Sequence, residues 1–249
     1  MKKVFIVLTV LFCLVMISFS IYYKNTEKVL VAAEIVGFEI ENSEENIKHI
    51  NSNNTINTSF KKLGVVTYIN PETNQFAALG HSLINSEDGT DIEGTCYNVQ
   101  FNLNEKNSNY TRQYANVYLN QNNPIGYVYY DNYSGIYGKI NDISKKEYKE
   151  AETVNRYDIK KGKADILIRL DGETLESYEV EIVAINYFAS NKNIRIKITD
   201  ERLINETGGI VQGMSGTPVM QNGKLVGAIN CVSALDSTDA FAIFIDKLI

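Results

Sequence analysis

Short apolar runs separated by turn residues are the feature that most constrains the fold of this chain. Apolar and polar residues alternate through Tyr178–Val183 and Ile194–Ile198, with the period of two that is typical of half-buried strands. The pair Asn222-Gly223 is a strong signal for a two-residue hairpin turn. Helical patterns are confined to Lys145–Val154 and Glu201–Glu206. The sequence therefore predicts a mainly β fold, either barrels or a sandwich, with two short helices.

A further hairpin is predicted where the compact part of the chain begins, near Lys61. The β-branched run Gly64–Ile69 is followed by the turn residues Asn70–Asn74 and by a second apolar run, Phe76–Leu79. This second strand leads directly into Gly80-His81. A histidine that directly follows a strand is rigidly supported, so His81 becomes a candidate for chemistry.

The N-terminus is apolar from Val4 to Tyr23 and carries no charge over these ~20 residues, which is enough for a helix to cross a bilayer. We interpret it as an uncleaved membrane anchor. The alternative is a cleaved signal peptide, but the apolar run is long for one and Ser18-Phe19-Ser20 is a poor cleavage site within it. Lys2 and Lys3 favour a cytoplasmic N-terminus, with the bulk of the chain outside the cytoplasm.

The predicted domains are an anchor over residues 1–23, a polar tether over 24–60 and a folded domain over 61–249. The tether is rich in Asn, Glu, Ser and Lys, a composition that disfavours a packed core. One apolar island within it, Val29–Phe38, is predicted to add a strand to the folded body.

Charge and cysteine content exclude several classes of function. The net charge of −6 and the lack of a basic cluster argue against a nucleic-acid partner. The soluble part contains only Cys96 and Cys231, with no C-x-x-C pair, so a cysteine metal site is implausible. A disulfide between these two cysteines is possible, and the sequence does not decide it.

A serine flanked by glycines, in Gly213-Met214-Ser215-Gly216-Thr217-Pro218, is the strongest chemical signal. Glycines allow the sharp turn that exposes a hydroxyl, and they leave the amides of Gly213 and Ser215 able to point at one spot as an oxyanion hole. The alternative is a plain glycine-rich turn between two strands, because short motifs occur by chance.

A nucleophilic serine needs a base, and the chain has two histidines. His49 lies in the tether, where nothing would hold it in hydrogen-bond geometry, so His81 is the candidate. A third group must orient the imidazole. Composition does not identify this third group, because eight aspartates lie between His81 and Ser215: Asp88, Asp91, Asp131, Asp142, Asp158, Asp165, Asp171 and Asp200.

The two motifs, together with longer flanking blocks, resemble the SpoIVB peptidase family. The blocks are Ala78–His81, Thr207–Val219 and Gln221–Ala228, and the resemblance covers about Lys61 to Ile249. Members are membrane-anchored serine peptidases of spore-forming bacteria that act between mother cell and forespore. The resemblance implies a chymotrypsin-like double β-barrel, with Ser215 as nucleophile, His81 as base and Asp200 as the third member.

The chain departs from the family pattern in three places. The segment between Tyr23 and Lys61 is too short for the PDZ domain that members usually carry. Asn85 stands where the family usually has an aspartate, and Asn230-Cys231 stands where it usually has a Thr-His pair. The last change leaves His81 as the only serious imidazole.

These observations predict a membrane-anchored serine endopeptidase that works through an acyl-enzyme and needs no cofactor or metal. By resemblance, its substrate is a protein of sporulation signalling, with the peptidase itself, cut in the tether, as one candidate, and its location is the forespore intermembrane space. The alternative is a catalytically silent scaffold of the spore envelope that keeps the peptidase fold.

Overall fold

A computed structural model of the chain describes residues 7–16, 26–41, 60–83, 88–103, 115–144 and 146–249. The described strands form two closed β-barrels of six antiparallel strands each. This confirms the mainly β class, and it selects the barrel over the sandwich. The arrangement matches the double barrel of chymotrypsin-like proteins.

The first barrel is built from the N-terminal strands in the order β2-β3-β6-β5-β4-β1, closed by pairing of β1 with β2, and β7 adds to β1 as a seventh strand. Its strands are β1 (Lys28–Glu41), β2 (Phe60–Ile69), β3 (Gln75–Ala78), β4 (Thr90–Leu103), β5 (Ala115–Asn132), β6 (Gly135–Ile140) and β7 (Lys149–Glu152).

The second barrel closes in the order β10-β13-β12-β11-β8-β9. Its strands are β8 (Gly162–Ile168), β9 (Glu176–Ile185), β10 (Ile194–Ile198), β11 (Pro218–Gln221), β12 (Lys224–Val232) and β13 (Asp239–Phe244). The α-helix Glu201–Thr207 lies between β10 and β11, as the sequence predicts. Single-turn 3₁₀ helices occur at Arg156–Asp158 and Ile245–Lys247.

Alternating burial explains why the predicted strands form where they do. Along β10 the side chains of Ile194, Ile196 and Ile198 are buried, and Arg195 between them is exposed. The period of two therefore places one row of isoleucines inside the second barrel. The predicted hairpin turn at Asn222-Gly223 joins β11 to β12, and both residues have the positive φ that such a turn requires.

The first strand comes from the segment that the sequence assigns to the tether. β1 contains the apolar island Val29–Phe38, whose Val31, Val36 and Phe38 side chains are fully buried. It closes the first barrel by pairing with both β2 and β4. The barrel therefore begins at Lys28, ahead of the predicted boundary at residue 61. Residues 42–59 of the tether lie outside the described residues.

The predicted helix at Lys145–Val154 is wrong, because Lys149–Glu152 forms β7. This strand pairs with β1 in register, Lys28 opposite Glu152 and Val31 opposite Lys149. Lys, Glu and Ala are good helix formers, but intrinsic propensity is a weak determinant, and backbone pairing on an existing barrel outweighs it. Lys145 itself lies outside the described residues.

An apolar layer joins the two barrels and fixes their relative position. Val31 and Ala77 from the first barrel pack in one buried cluster with Met220 and Ala228 from the second. The buried phenol of Tyr68 donates to the carbonyl oxygen of Leu248 at 3.1 Å, which ties β2 to the C-terminus. Loops at this seam are therefore held by both barrels.

The predicted membrane anchor over residues 1–23 lies only partly within the described residues. Residues 7–16 are helical, and their side chains are exposed. Within the described part of the chain, no helix is long and apolar enough to cross a membrane.

Candidate active site

The loop that carries Ser215 lies at the seam and is held by the first barrel. The amide of Val65, on β2, donates to the carbonyl oxygen of Ser215 at 2.7 Å. The buried hydroxyl of Thr67, two residues further along β2, donates to the carbonyl oxygen of Gly216 at 2.7 Å. The serine therefore belongs to the second barrel by sequence but is positioned by the first.

Gly216 permits this close approach. Its φ is +97°, and a Cβ at this position would lie 2.1 Å from the Val65 carbonyl oxygen and 2.6 Å from the Leu79 amide nitrogen. Only glycine adopts this backbone conformation without strain and leaves the space for two neighbouring backbones. Its own amide donates to the Ile229 carbonyl oxygen at 2.7 Å, which ties the loop to β12.

The amides that the sequence predicts as an oxyanion hole are unengaged. The N–H groups of Gly213 and Ser215 donate to no acceptor in the described part of the chain, whereas the N–H groups of Met214, Gly216 and Thr217 all have acceptors. Gly213 has a φ of +97°, and the Met214 side chain between the two amides is fully buried. A pair of N–H groups left free in an otherwise satisfied loop is suited to bind a developing oxyanion.

The hydroxyl of Ser215 donates to the carbonyl oxygen of Asn230, on β12, at 3.2 Å. Asn230 is the first residue of the pair Asn230-Cys231, which stands where the family usually has Thr-His. Its side-chain amide donates to the Asn191 carbonyl oxygen at 2.6 Å and so fixes this part of β12. The resting serine therefore points at a backbone carbonyl of its own barrel, and a rotation about χ1 would re-aim it.

His81 follows β3 through two residues with left-handed backbone, Leu79 with a φ of +76° and Gly80 with a φ of +67°. A buried leucine in this region carries strain of about 1–3 kcal/mol, and such strain clusters at functional sites. A Cβ on Gly80 would lie 3.0 Å from the carbonyl oxygen of Ile229, the atom that also accepts from Gly216. The turn therefore brings His81 to the seam beside the serine loop.

The hydrogen bond of His81 determines which of its nitrogens carries the proton. Nδ1 lies 2.9 Å from the carbonyl oxygen of Ser82. A carbonyl oxygen only accepts, so this bond requires a proton on Nδ1, and in the neutral imidazole the lone pair is then on Nε2. This is the tautomer that a general base needs in order to take a proton from a serine hydroxyl at Nε2.

Asp200 lies at the N-terminus of the short helix in the second barrel. Its carboxylate accepts from the Arg202 amide at 2.9 Å, from the Arg202 guanidinium at 2.8 Å and from the Glu179 amide at 3.2 Å. The hydrogen bond from Arg202 holds the pKa of Asp200 below its usual range. Its contacts are thus those of a helix cap, and none of them is with His81. Its role as the third member of the site stays a prediction.

Asp131 is the aspartate that the structure brings to the two residues that follow His81. Its side chain is fully buried at the end of β5. One carboxylate oxygen accepts from the Ser82 hydroxyl at 2.5 Å, and the other accepts from the Leu83 amide at 2.8 Å. The sequence offered Asp131 as one of eight candidates without selecting it. Its position before the turn Asn132–Gly135 was a weak signal of a strand end.

The remaining predicted features of the site are also located. Cys96 is buried in the first barrel and Cys231 is half-buried on β12, and both are free thiols, so no disulfide joins them. Burial raises the pKa of both thiols. Among the described residues, no cluster of His, Cys, Asp or Glu could hold a metal ion. Asn85 lies outside the described residues.

Two closed six-stranded barrels with a glycine-flanked serine loop at their seam are the arrangement of a chymotrypsin-like serine peptidase. Comparison with protein families agrees with this class. The chain belongs to the SpoIVB peptidase S55 family, whose model matches residues 54–249. It is therefore a serine peptidase, a hydrolase, and the resemblance noted from the sequence is confirmed.

The solved structures to which this chain is similar are distant from it. The active form of the Rv3671c protease from M. tuberculosis is 11% identical, with 86% of this chain and 77% of that chain covered and a TM-score of 0.39. The thermostable serine protease AL20 from an extremophilic microorganism is 9% identical, with 86% and 91% covered and a TM-score of 0.37. A search of curated proteins finds no match. The family assignment rests on the match to residues 54–249.

Proposed function

We propose that this peptidase is a membrane-anchored serine endopeptidase that cleaves a protein substrate through an acyl-enzyme, with Ser215 as nucleophile and His81 as general base. The observation that carries the proposal is the pair of unengaged amides at Gly213 and Ser215, in the same loop as the serine hydroxyl and beside the turn that presents His81. A purely structural scaffold would not require the N–H groups of Gly213 and Ser215 to stay free beside the Ser215 hydroxyl.

The geometry supports a two-stage reaction. When substrate enters the seam, the Ser215 hydroxyl turns from the Asn230 carbonyl oxygen towards Nε2 of His81. Oγ then attacks the carbonyl carbon of the peptide bond while Nε2 takes the hydroxyl proton. The Gly213 and Ser215 amides stabilise the oxyanion by about 3–4 kcal/mol per donor. His81 then returns the proton to the leaving amine as the C–N bond breaks. Water attacks the acyl-enzyme by the same route.

The third member of the proposed site is an acid that orients His81. The family position falls on Asp200, whose carboxylate is engaged by Arg202 and the Glu179 amide. For Asp200 to orient His81, the cap of the short helix would have to open. The family pattern implies Asp200 as this acid, and a comparison of Asp200→Asn with Asp131→Asn tests it.

Anchoring and biological role are proposed from the sequence. The uncharged run Val4–Tyr23 supports a single membrane span, with Lys2 and Lys3 inside and the peptidase outside the cytoplasm. The family supports a role in sporulation signalling in the forespore intermembrane space. A substrate anchored to the same membrane, or the chain's own tether within residues 42–59, would meet the site at raised effective concentration.

Covalent labelling by a fluorophosphonate tests the proposal, because the probe reacts only with a serine activated as a nucleophile. Wild type should be labelled and Ser215→Ala should not. Ser144→Ala, which alters an exposed serine in the first barrel, is the matched control and should be labelled like wild type. Folded wild type that resists labelling would support the silent scaffold instead.

The physiological half of the proposal needs a separate assay. Cells that carry Ser215→Ala in place of the native protein should fail to complete sporulation, as a deletion strain should. Normal sporulation with Ser215→Ala, alongside failure of the deletion strain, would assign the role to the fold and not to the peptidase.

A further inference from the structure

Strand register places the buried carboxylate of Asp131 beneath the turn that carries His81. Asp131 on β5 lies opposite Ile136 on β6, and Ile136 lies opposite Ala78, the last residue of β3. These three residues form one row across neighbouring strands, and all three side chains are fully buried. The chain leaves this row at Ala78 and reaches His81 three residues later. The acid and the histidine are thus fixed by the same row of the barrel.

Both carboxylate oxygens of Asp131 bind the two residues that follow His81. Oδ2 accepts from the Ser82 hydroxyl and Oδ1 from the Leu83 amide. A carboxylate that accepts hydrogen bonds makes stronger bonds than a neutral acceptor does. Burying a carboxylate away from water costs free energy. The fully buried carboxylate of Asp131 therefore indicates a specific role.

One peptide group links Asp131 to the imidazole. The N–H of Leu83 donates to Asp131, and the carbonyl oxygen of the same peptide group, that of Ser82, accepts from Nδ1 of His81. A peptide group is planar, so holding its N–H also fixes the direction of its C=O. Hydrogen bonds in series polarise one another, so the carboxylate also makes this carbonyl oxygen a better acceptor.

We infer that Asp131 is a positioning residue for the peptidase reaction: it orients His81 through the Ser82–Leu83 peptide group and holds the imidazole as the Nδ1–H tautomer. A backbone carbonyl oxygen thus stands where a carboxylate would contact the imidazole directly. The inference rests on the proposed role of His81 as the general base. It assigns the orienting task to the first barrel, which also presents the histidine.

The first test is spectroscopic and does not depend on activity. Full-length protein with ¹⁵N-labelled histidine, in a His49→Gln background so that one imidazole remains, should show the Nδ1–H tautomer of His81. Asp131→Asn keeps the size of the side chain but removes its charge, and a substantial Nε2–H population should appear. Asp171→Asn is the matched control, because Asp171 also accepts two backbone amides in a turn but lies in the second barrel. It should leave the spectrum unchanged.

Kinetics provide the second test. Asp131→Asn should lower kcat by about 100-fold with KM unchanged, because misplacing a catalytic group by about 1 Å costs this much without altering substrate binding. Ser82→Ala keeps the buried carboxylate and its bond from Leu83, and the loss of one hydrogen bond should lower kcat by roughly 10-fold. If Asp131→Asn fails to fold, this second variant still tests whether the hold of Asp131 on the turn after His81 matters for catalysis.

Clear outcomes would overturn the inference. If Asp131→Asn retains both the Nδ1–H tautomer and the wild-type kcat, Asp131 does not position His81. If Asp200→Asn changes the tautomer and Asp131→Asn does not, the family assignment of Asp200 is correct. If Ser82→Ala leaves kcat at the wild-type value, the bond from the Ser82 hydroxyl to Asp131 has no part in positioning His81, and the hold of Asp131 on both residues after His81 is not what orients the imidazole. An inactive wild type would defeat the proposed function alone, because the tautomer spectrum would still report on Asp131.

Discussion

Replacing Gly216 by alanine tests whether the two barrels jointly hold the serine loop. The added Cβ would lie 2.1 Å from the Val65 carbonyl oxygen, 2.6 Å from the Leu79 amide nitrogen and 3.1 Å from the Leu79 Cα. All three are backbone atoms of the first barrel, so no side chain can rotate away to relieve the clash.

Two costs add at this position. A φ of +97° strains any residue with a Cβ by about 1–3 kcal/mol. Forcing an extra methyl group into a packed region costs about 1–3 kcal/mol more. Gly216→Ala should therefore lower the free energy of unfolding by about 2–6 kcal/mol, a large share of the about 5–15 kcal/mol that stabilises a typical protein. Any shift that relieves the clash also moves Ser215, so kcat/KM should fall as well.

Gly223→Ala is the matched control. Its φ is +77°, and a Cβ there would meet nothing within 4 Å, so it carries the backbone strain without the clash. Urea unfolding followed by far-UV circular dichroism measures both variants, and hydrolysis of a peptide substrate by the folded fraction measures activity. If Gly216→Ala is no less stable than Gly223→Ala and keeps wild-type kcat/KM, the reasoning about the seam is wrong.

Two further predictions concern titration and thiol chemistry. Because the Arg202 hydrogen bond lowers the pKa of Asp200, its stabilising effect is complete above the unfolded pKa of about 3.9 and is lost as pH falls through the folded value. Asp200→Ala should cost about 0.5–2 kcal/mol at pH 7, with a deficit that shrinks in acid; a deficit equal at pH 7 and pH 3 would contradict this. Iodoacetamide at pH 8 should alkylate half-buried Cys231 slowly and buried Cys96 only on unfolding, because burial raises the pKa of both thiols. A bridged Cys96–Cys231 peptide in non-reducing mass spectrometry would contradict the structure.

The local pattern of apolar and polar residues is sufficient to predict a strand wherever that strand has one buried face. β9 and β10 were predicted from alternation alone, and the island Val29–Phe38 was predicted as a strand within a polar segment. Pattern failed at β7, where Lys149–Glu152 carries helix-favouring residues. The edge of β1 supplies the hydrogen-bond partners that make it a strand, and no local signal encodes such a partner.

The site shows the same division between local and distant information. The sequence predicts Ser215, its glycine neighbours and His81, because a glycine-rich turn and a scarcity of histidines are visible in the sequence itself. The residues alone leave the acid open among eight aspartates, and only the family resemblance predicts Asp200. Strand register separates them: the row Ala78, Ile136 and Asp131 brings one aspartate to the turn after His81, and Asp200 is used as a helix cap.

By itself, the sequence determined the β class, the peptidase family and the two residues of the proposed reaction, since periodicity and glycine placement are local properties. Tertiary structure alone decided that β1 closes the first barrel, that β2 holds the serine loop and that Asp131 binds the two residues after His81. Each of these depends on pairing between strands far apart in the chain. Such pairings form only when the whole barrel closes, so no single stretch of sequence specifies them by itself.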